Sequence, residues 1–590
     1  MTLLTNPVLP GFSPDPSLIR VGEWFYLANS SFEWYPAIPI HRSRNLVDWE
    51  YAGSFSGPDA LLDLRGLQDS GAIWAPSLSW SDGTFWLVFT VVRGFGGPHK
   101  DMDTYISRAS DVAGPWTAPA RVTTTGFDPS IFHHEGRHWL LNMEWDHRPT
   151  GRGGFAGINL QELNVDGTAS IGEPKIIHRR PVLIEGPNLY FFAGKYYLML
   201  AEGGTGQKHG IAMMRADELL GPYEADPHGP VLTTRDDPSH ELQKAGHGEM
   251  AVDAQGEMFL AHLASRWTEK DGKQYSVLGR ETCVQRLRLT DDGWLRLEQG
   301  GWSPALTVEA PAPESDGGAV SESDGGAVSD SAVGAGSDSA VGAGSDSAGG
   351  PGAPPAVASG PEAPSLPDAA SRFGGFTPGS SSDGRLTVGW PWSTLRHAAD
   401  SSWASLSDRP GWLRLQGRHS TDSLFEQSLV ARRLTGPTLT AAVTVEARPA
   451  NFTQSAGLIF YYNTASYFYL RTTVREIGGD LVPGDAAVEQ ILEVFEKDPL
   501  TGLQSHGAAV VEPGLPLRLE GTLNGAQLQF HWAQGNNQLR PIGPELNALQ
   551  LSDDHGGALR FTGAFVGVAA QDLRDRRFTA DFTDFRYQTD

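Results

Sequence analysis

A short apolar strand, a glycine turn and a second, aromatic strand recur five times in the first half of the chain. The glycine-led runs are Gly22-Glu-Trp-Phe-Tyr-Leu, Gly83-Thr-Phe-Trp-Leu-Val, Gly136-Arg-His-Trp-Leu-Leu, Gly194-Lys-Tyr-Tyr-Leu-Met and Gly256-Glu-Met-Phe-Leu-Ala. Each follows a second short motif: Asp15-Pro-Ser-Leu, Ala75-Pro-Ser-Leu, Asp128-Pro-Ser-Ile, Gly186-Pro-Asn-Leu and the more degenerate His247-Gly-Glu-Met. The interval is about 60 residues, enough for four short strands. Accidental hairpins would not keep two motifs in fixed order, so the pattern predicts a five-bladed β-propeller over residues 1–305.

The last part of the chain alternates with period two. Leu528, Phe530 and Trp532, then Val443, Val445 and Ala447, and Leu517 with Leu519 are separated by polar or small residues. Such alternation marks strands with one buried face. Residues 371–590 therefore read as a β-sandwich, and the whole chain as all-β.

Between these parts, residues 306–370 change composition. From Glu309 to Ala370 the chain has neither Lys, Arg nor aromatic residues, and Ser315-Asp-Gly-Gly-Ala-Val recurs at Ser323. This tract lacks the apolar surface to offset its ordering entropy and reads as a flexible linker. It carries ten of the acidic residues.

Charge and composition narrow the function classes. The formal net charge is −25, which disfavours nucleic acid and anionic membrane surfaces as partners. Hydrophobic residues make up 39% of the chain, so disorder throughout is excluded. The single cysteine, Cys283, permits no internal disulfide and no paired-cysteine metal knuckle. No apolar run is long enough for a membrane helix, and the first residues lack the pattern of a secretory signal, so a cytoplasmic location is expected. The sequons at Asn29 and Asn451 are then without consequence.

In a propeller the first strand of each blade lines the central channel, so residues at the same repeat position converge on the axis. That position holds Asp15, Ala75, Asp128, Gly186 and His247, and Glu185 precedes the fourth. Three carboxyls from three blades thus face one funnel, although like charges raise one another's pKa. Paired carboxyls among aromatic residues suit glycoside hydrolysis: one is protonated to donate to the leaving oxygen, and the other is ionised to activate water. A third can tune the acid. Asp15, Glu185 and Asp128 meet these needs, and the longer Glu185 is assigned the acid.

The run Asn6-Pro-Val-Leu-Pro-Gly-Phe-Ser-Pro-Asp-Pro-Ser resembles the opening of glycoside hydrolase family 43. Phe127-Asp-Pro-Ser and Ile184-Glu-Gly-Pro-Asn-Leu-Tyr resemble its other acidic motifs, and Leu278-Gly-Arg-Glu-Thr a motif near the end of its catalytic domain. Gly563-Ala-Phe-Val-Gly resembles part of the concanavalin-like β-sandwich carried by the family's β-xylosidase branch. The resemblance implies inverting hydrolysis, with Asp15 as general base, Glu185 as general acid and Asp128 as pKa modulator. It also implies Arg280 as a pocket arginine and Phe32 and Trp74 as aromatic walls, with Trp145 as a further wall candidate. Phe561 would reach over the funnel from the sandwich and close it.

The expected activity is release of D-xylose from the non-reducing ends of short β-1,4-xylo-oligosaccharides. The alternatives are an α-L-arabinofuranosidase or an enzyme with both activities, and then a non-catalytic sugar-binding propeller or a protein scaffold. No cofactor is required for this chemistry. The resemblance implies that His247 faces water or a cation, often calcium, whose ligands would be mostly waters. Here the chain departs from the family's commoner His-Ala-Ser-Ile type of pattern, because it carries Glu249. A homo-oligomer is implied by the resemblance alone. The long acidic linker is a second departure, so docking of the sandwich on the propeller does not follow from sequence.

Overall fold

The computed structural model describes residues 2–55, 62–149, 154–312, 378–380, 386–388, 390–477 and 487–589. Most of the expected linker, including its repeats, lies outside the described residues. Its first part does not: Thr307–Glu309 pairs antiparallel with Leu3–Thr5. The chain therefore stays on the first domain a few residues past the expected boundary.

Five antiparallel blades follow one another, each a path of four strands, and the fourth carries a short extra strand at Leu232–Thr233. The first strand of each is Ser17–Val21, Ala72–Ser81, Gly126–His134, Ile184–Phe192 and Leu242–Val252, and the second is the aromatic strand. The repeated glycines sit where the sequence placed them, in the left-handed region, with φ of 60°, 71°, 70°, 71° and 87°. In three blades the preceding residue, Asp82, Glu135 or Ala193, is also left-handed. Two consecutive positive φ values match the right-handed twist of the strands they join.

The first motif has a structural reason as well. Asp15, Ala75, Asp128, Gly186 and His247 all have positive φ, between 27° and 54°. In blades two to five the strand pairing slips across this position. In four repeats proline follows and cannot donate to the ladder, which favours the interruption. The resulting bend takes the residue out of the regular alternation of the strand.

The residue two places later stitches neighbouring blades together. Leu78 N–H donates to Ser17 Oγ at 2.8 Å, Ser130 Oγ donates to Pro187 O at 2.5 Å, and Asn188 Nδ2 donates to Gly248 O at 3.2 Å. Glu249 occupies this place in the fifth repeat and hydrogen-bonds Ser17 and Leu18 of the first blade. Its departure from the family pattern thus sits where the last blade meets the first.

The second domain is two facing sheets. Val443, Val445, Leu517, Leu519, Leu528, Phe530 and Trp532 all lie in the core, as their alternation required. The eight-stranded sheet ends on Trp392–Leu395, and beyond it on Trp34–Tyr35 from the first blade. The propeller thereby supplies the edge strand of the sandwich. Trp34 stacks on Phe565 with centroids 3.6 Å apart. One apolar cluster runs through both domains, from Phe32 and Trp74 to Ile459, Tyr461 and Phe565. An interface this apolar holds the two domains as one unit. Among the described residues no helix is long and apolar enough to cross a membrane.

Candidate active site

The structure brings Asp15, Asp128, Glu185, His247 and Arg280 together at the axis, all but His247 less than 9% exposed. Asp15 receives a donor on each oxygen. Ser30 Oγ lies 2.6 Å from Oδ2, and Arg280 Nη1 lies 2.9 Å from Oδ1. Ser30 Oγ also accepts the Ala75 N–H at 2.7 Å, so its own proton is directed to Asp15. Burial pushes this carboxyl up, but Arg280, His247 and Ser30 outweigh it and hold the pKa below 3.8.

Glu185 is in the opposite situation. Burial, and then the Asp15 charge, push it up to about 7, against the pull of Arg280 and Lys100. Asp128 is raised well above the ordinary range by burial, Glu185 and Asp15. It also accepts the backbone N–H of Gly186, the residue after Glu185. Two neighbouring buried carboxyls cannot both ionise without mutual cost, so a proton is retained between them.

His247 Nδ1 stands 3.9 Å from Asp15 Oδ1 and 3.9 Å from Asp128 Oδ2. Burial lowers its pKa despite Asp15, so the ring is held towards its neutral form. A Cβ at Gly186 would fall 2.9 Å from the His247 ring, so the glycine at that repeat position makes room for the histidine. Among the described residues no group of three or more His, Cys, Asp and Glu is placed to hold a metal ion.

The walls are aromatic and come from both domains. Phe561, from the sandwich, lies 6.0 Å from Phe32, 5.4 Å from Trp74 and 5.8 Å from Phe95, between centroids. Arg280 Nη2 donates to the Phe561 carbonyl at 2.9 Å, and its guanidinium carbon lies 5.6 Å from the Phe32 ring centroid. Two glycines permit this approach. A Cβ on Gly279 would lie 2.5 Å from Thr562 O, and one on Gly563 would lie 2.5 Å from Leu278 O. Trp145 stands at the margin, half-buried, with its indole N–H on Pro98 O at 2.8 Å.

Comparison with known proteins agrees with this geometry. The profile of glycosyl hydrolases family 43 matches residues 4–295, and that of the β-xylosidase C-terminal concanavalin A-like domain matches residues 385–588. The chain is 36% identical to xylosidase/arabinosidase 43B of Humicola insolens, over 100% of this chain and 98% of that protein. The chain belongs to glycosyl hydrolase family 43. A β-xylosidase of Bacillus subtilis is 34% identical over 99% of both chains. The crystal structure of a xylan β-1,4-xylosidase from Bacillus halodurans superposes with a TM-score of 0.82, at 36% identity, covering 99% of this chain and 100% of that one.

Several residues of this family 43 site were not singled out by the sequence. Lys100 lies 4.3 Å from the Trp145 ring centroid and 5.6 Å from that of Phe95, and it acts on Glu185. It sits with Phe95 in a Gly-Pro-rich loop that carries no repeat signal. His209 faces Asp15 and His247 electrostatically and is kept neutral by burial, its pKa pushed down to about 3. Ser30 adjoins Phe32 in Asn29-Ser-Ser-Phe, which was a legible neighbour. Chemically, the hydrolase presents one carboxylate held ionised, one carboxyl near neutrality and aromatic walls suited to a pyranose face.

Proposed function

We propose that this hydrolase releases D-xylose from the non-reducing ends of short β-1,4-xylo-oligosaccharides by single displacement. Asp15 acts as the base that activates water, Glu185 as the acid that protonates the leaving oxygen, and Asp128 as the modulator of that acid's pKa. The observation that carries this reading is the divergence of two buried carboxyls in one pocket. Asp15 is held below 3.8 while Glu185 is pushed to about 7. Opposed pKa values within one site separate base from acid.

The Glu185 carboxyl makes no hydrogen bond to another described residue, which leaves it free to face an incoming oxygen. The Phe561 lid and the aromatic walls favour one terminal sugar and its leaving group over a polymer threaded through. Short substrates suit the expected cytoplasmic location. A second reading, hydrolysis of α-L-arabinofuranosides as well, is favoured by the double name of the Humicola insolens relative. Neither reading calls for a cofactor.

The test is release of 4-nitrophenol from the β-D-xylopyranoside and the α-L-arabinofuranoside, beside Asp15→Ala and Glu185→Ala. Xyloside turnover that is lost in Asp15→Ala and sharply reduced for xylobiose in Glu185→Ala supports the assignment. Preference for the arabinofuranoside reverses the substrate and keeps the mechanism. A folded protein that binds xylobiose and hydrolyses neither substrate overturns it in favour of a sugar-binding propeller.

A further inference from the structure

Ser70 lies outside every motif, is 1% exposed and has a φ of 60°. It makes three hydrogen bonds to three different parts of the molecule. Its hydroxyl accepts the Phe561 N–H at 3.0 Å, its carbonyl accepts the Trp74 indole N–H at 2.9 Å, and its N–H donates to Glu33 Oε2 at 3.1 Å. Phe561 and Trp74 are two walls of the pocket, one from each domain. Phe561 is held at both ends of its residue, by Ser70 at the nitrogen and by Arg280 at the carbonyl.

The surroundings of Ser70 are equally fixed. Asp69 pairs with the buried Arg396 of the sandwich at 2.7 Å and accepts the Thr464 N–H at 3.2 Å. Arg396 also donates to Leu67 O at 2.9 Å, and its N–H donates to Glu33 O at 2.7 Å. The segment that carries Ser70 is thus clamped between domains by a buried polar cluster. Glu33 Oε1 and Arg396 Nη1 are left without a hydrogen-bond partner among the described residues, and the hydrogen bonds that are made tie the segment to both domains.

We propose that Ser70 is a positioning residue that sets the leaving-group side of the pocket, by fixing Phe561 and Trp74 against each other. This rests on the xylosidase reading for its substrate and on geometry alone for its structural part. Phe561 and Trp74 both meet Phe95, and Lys100, 5.6 Å from the Phe95 ring centroid, acts electrostatically on Glu185, which points to the side of the acid. The general acid protonates the departing sugar on that side. A sugar leaving group needs alignment with Glu185. A 4-nitrophenolate departs without protonation and is indifferent to it.

The experiment compares Ser70→Ala and Ser70→Cys with the wild type. Alanine removes the acceptor for Phe561 and leaves both backbone contacts in place. Cysteine keeps the bulk with only a weak acceptor, and so serves if alanine fails to fold.

The expected result for alanine and cysteine is a fall in kcat/KM on xylobiose of about twofold to tenfold, the worth of one hydrogen bond. The 4-nitrophenyl xyloside should be nearly unaffected. Hydrogen exchange at the Phe561 amide should be about tenfold faster or more in alanine and cysteine.

Wild-type exchange at Phe561 in the alanine and cysteine variants overturns the proposal. So does an equal loss on both substrates. If the wild type hydrolyses neither substrate, the functional reading fails, while exchange at Phe561 still decides whether Ser70 holds the wall.

Discussion

Arg280 Nη1 donates to Asp15 Oδ1 at 2.9 Å, deep in the pocket where both side chains are almost fully buried. The same guanidinium reaches Phe561 of the second domain through Nη2. One side chain therefore helps to hold Asp15 ionised and anchors Phe561.

Arg280→Ala should remove both functions. Leaving one member of a buried pair uncompensated costs about 3–5 kcal/mol, so the variant should unfold at lower denaturant concentration. The Asp15 pKa should rise, because Arg280 is its largest lowering influence. The acidic limb of the kcat/KM profile then moves to higher pH. An unmoved limb would separate Arg280 from the base.

In its proposed role as the acid Glu185 must be protonated, and burial with the Asp15 charge pushes its pKa up to about 7. Turnover of xylobiose should therefore fall as pH rises through about 7. Glu185→Ala should lose this alkaline limb and about 100-fold to 10,000-fold of activity on xylobiose. It should lose far less on a 4-nitrophenyl glycoside. Equal losses on both substrates would remove Glu185 from the acid role.

Asp128→Asn removes the second carboxyl of the buried pair and keeps the shape of the side chain, so Glu185 no longer loses its proton against a partner acid. Repulsion between the two carboxyls is reciprocal, so Glu185 should give up its proton more readily. The alkaline limb of the pH–rate profile should move to lower pH, while the acidic limb moves less. A shift in the other direction would exclude Asp128 as the modulator.

Glu249 is pushed up to about 8, chiefly by burial, against an unfolded value near 4.5. The folded state binds this proton more tightly than the unfolded one. Its contribution to stability is thus full below about pH 4.5 and is lost as pH rises towards 8. Glu249→Gln keeps a neutral hydrogen-bonding group at the blade junction. It should flatten that part of the stability–pH curve, as measured by denaturant unfolding between pH 5 and pH 8. An unchanged slope would mean that Glu249 is ionised in the folded protein.

Much of this molecule was legible because a propeller repeats. Gly83, Gly136 and Gly194 marked turns that require positive φ, and Pro16, Pro76, Pro129 and Pro187 marked where the ladder must break. Aligning those signals is enough to place Asp15, Asp128 and His247 at one height on the axis. Phe32, Trp74 and Phe561 joined them through the family resemblance, and all three line one pocket. Trp145 reaches only its margin. Lys100 and Phe95 belong to an irregular loop, where no periodicity reports which side chain turns inward.

By itself the sequence determined the five-fold repeat, the acids at its first strands and the alternating strands of the second domain, because each depends on local backbone chemistry. The tertiary structure alone decided how the two domains meet. Trp34–Tyr35 completes a sheet whose other strands begin beyond residue 390. Ser70 finds Phe561, and Asp69 finds Arg396, across more than half of the chain. The pKa values of Asp15 and Glu185 belong to the same category. They are set by burial and by neighbouring charges, Arg280 on Asp15 and Asp15 on Glu185, which exist only once distant segments have packed together.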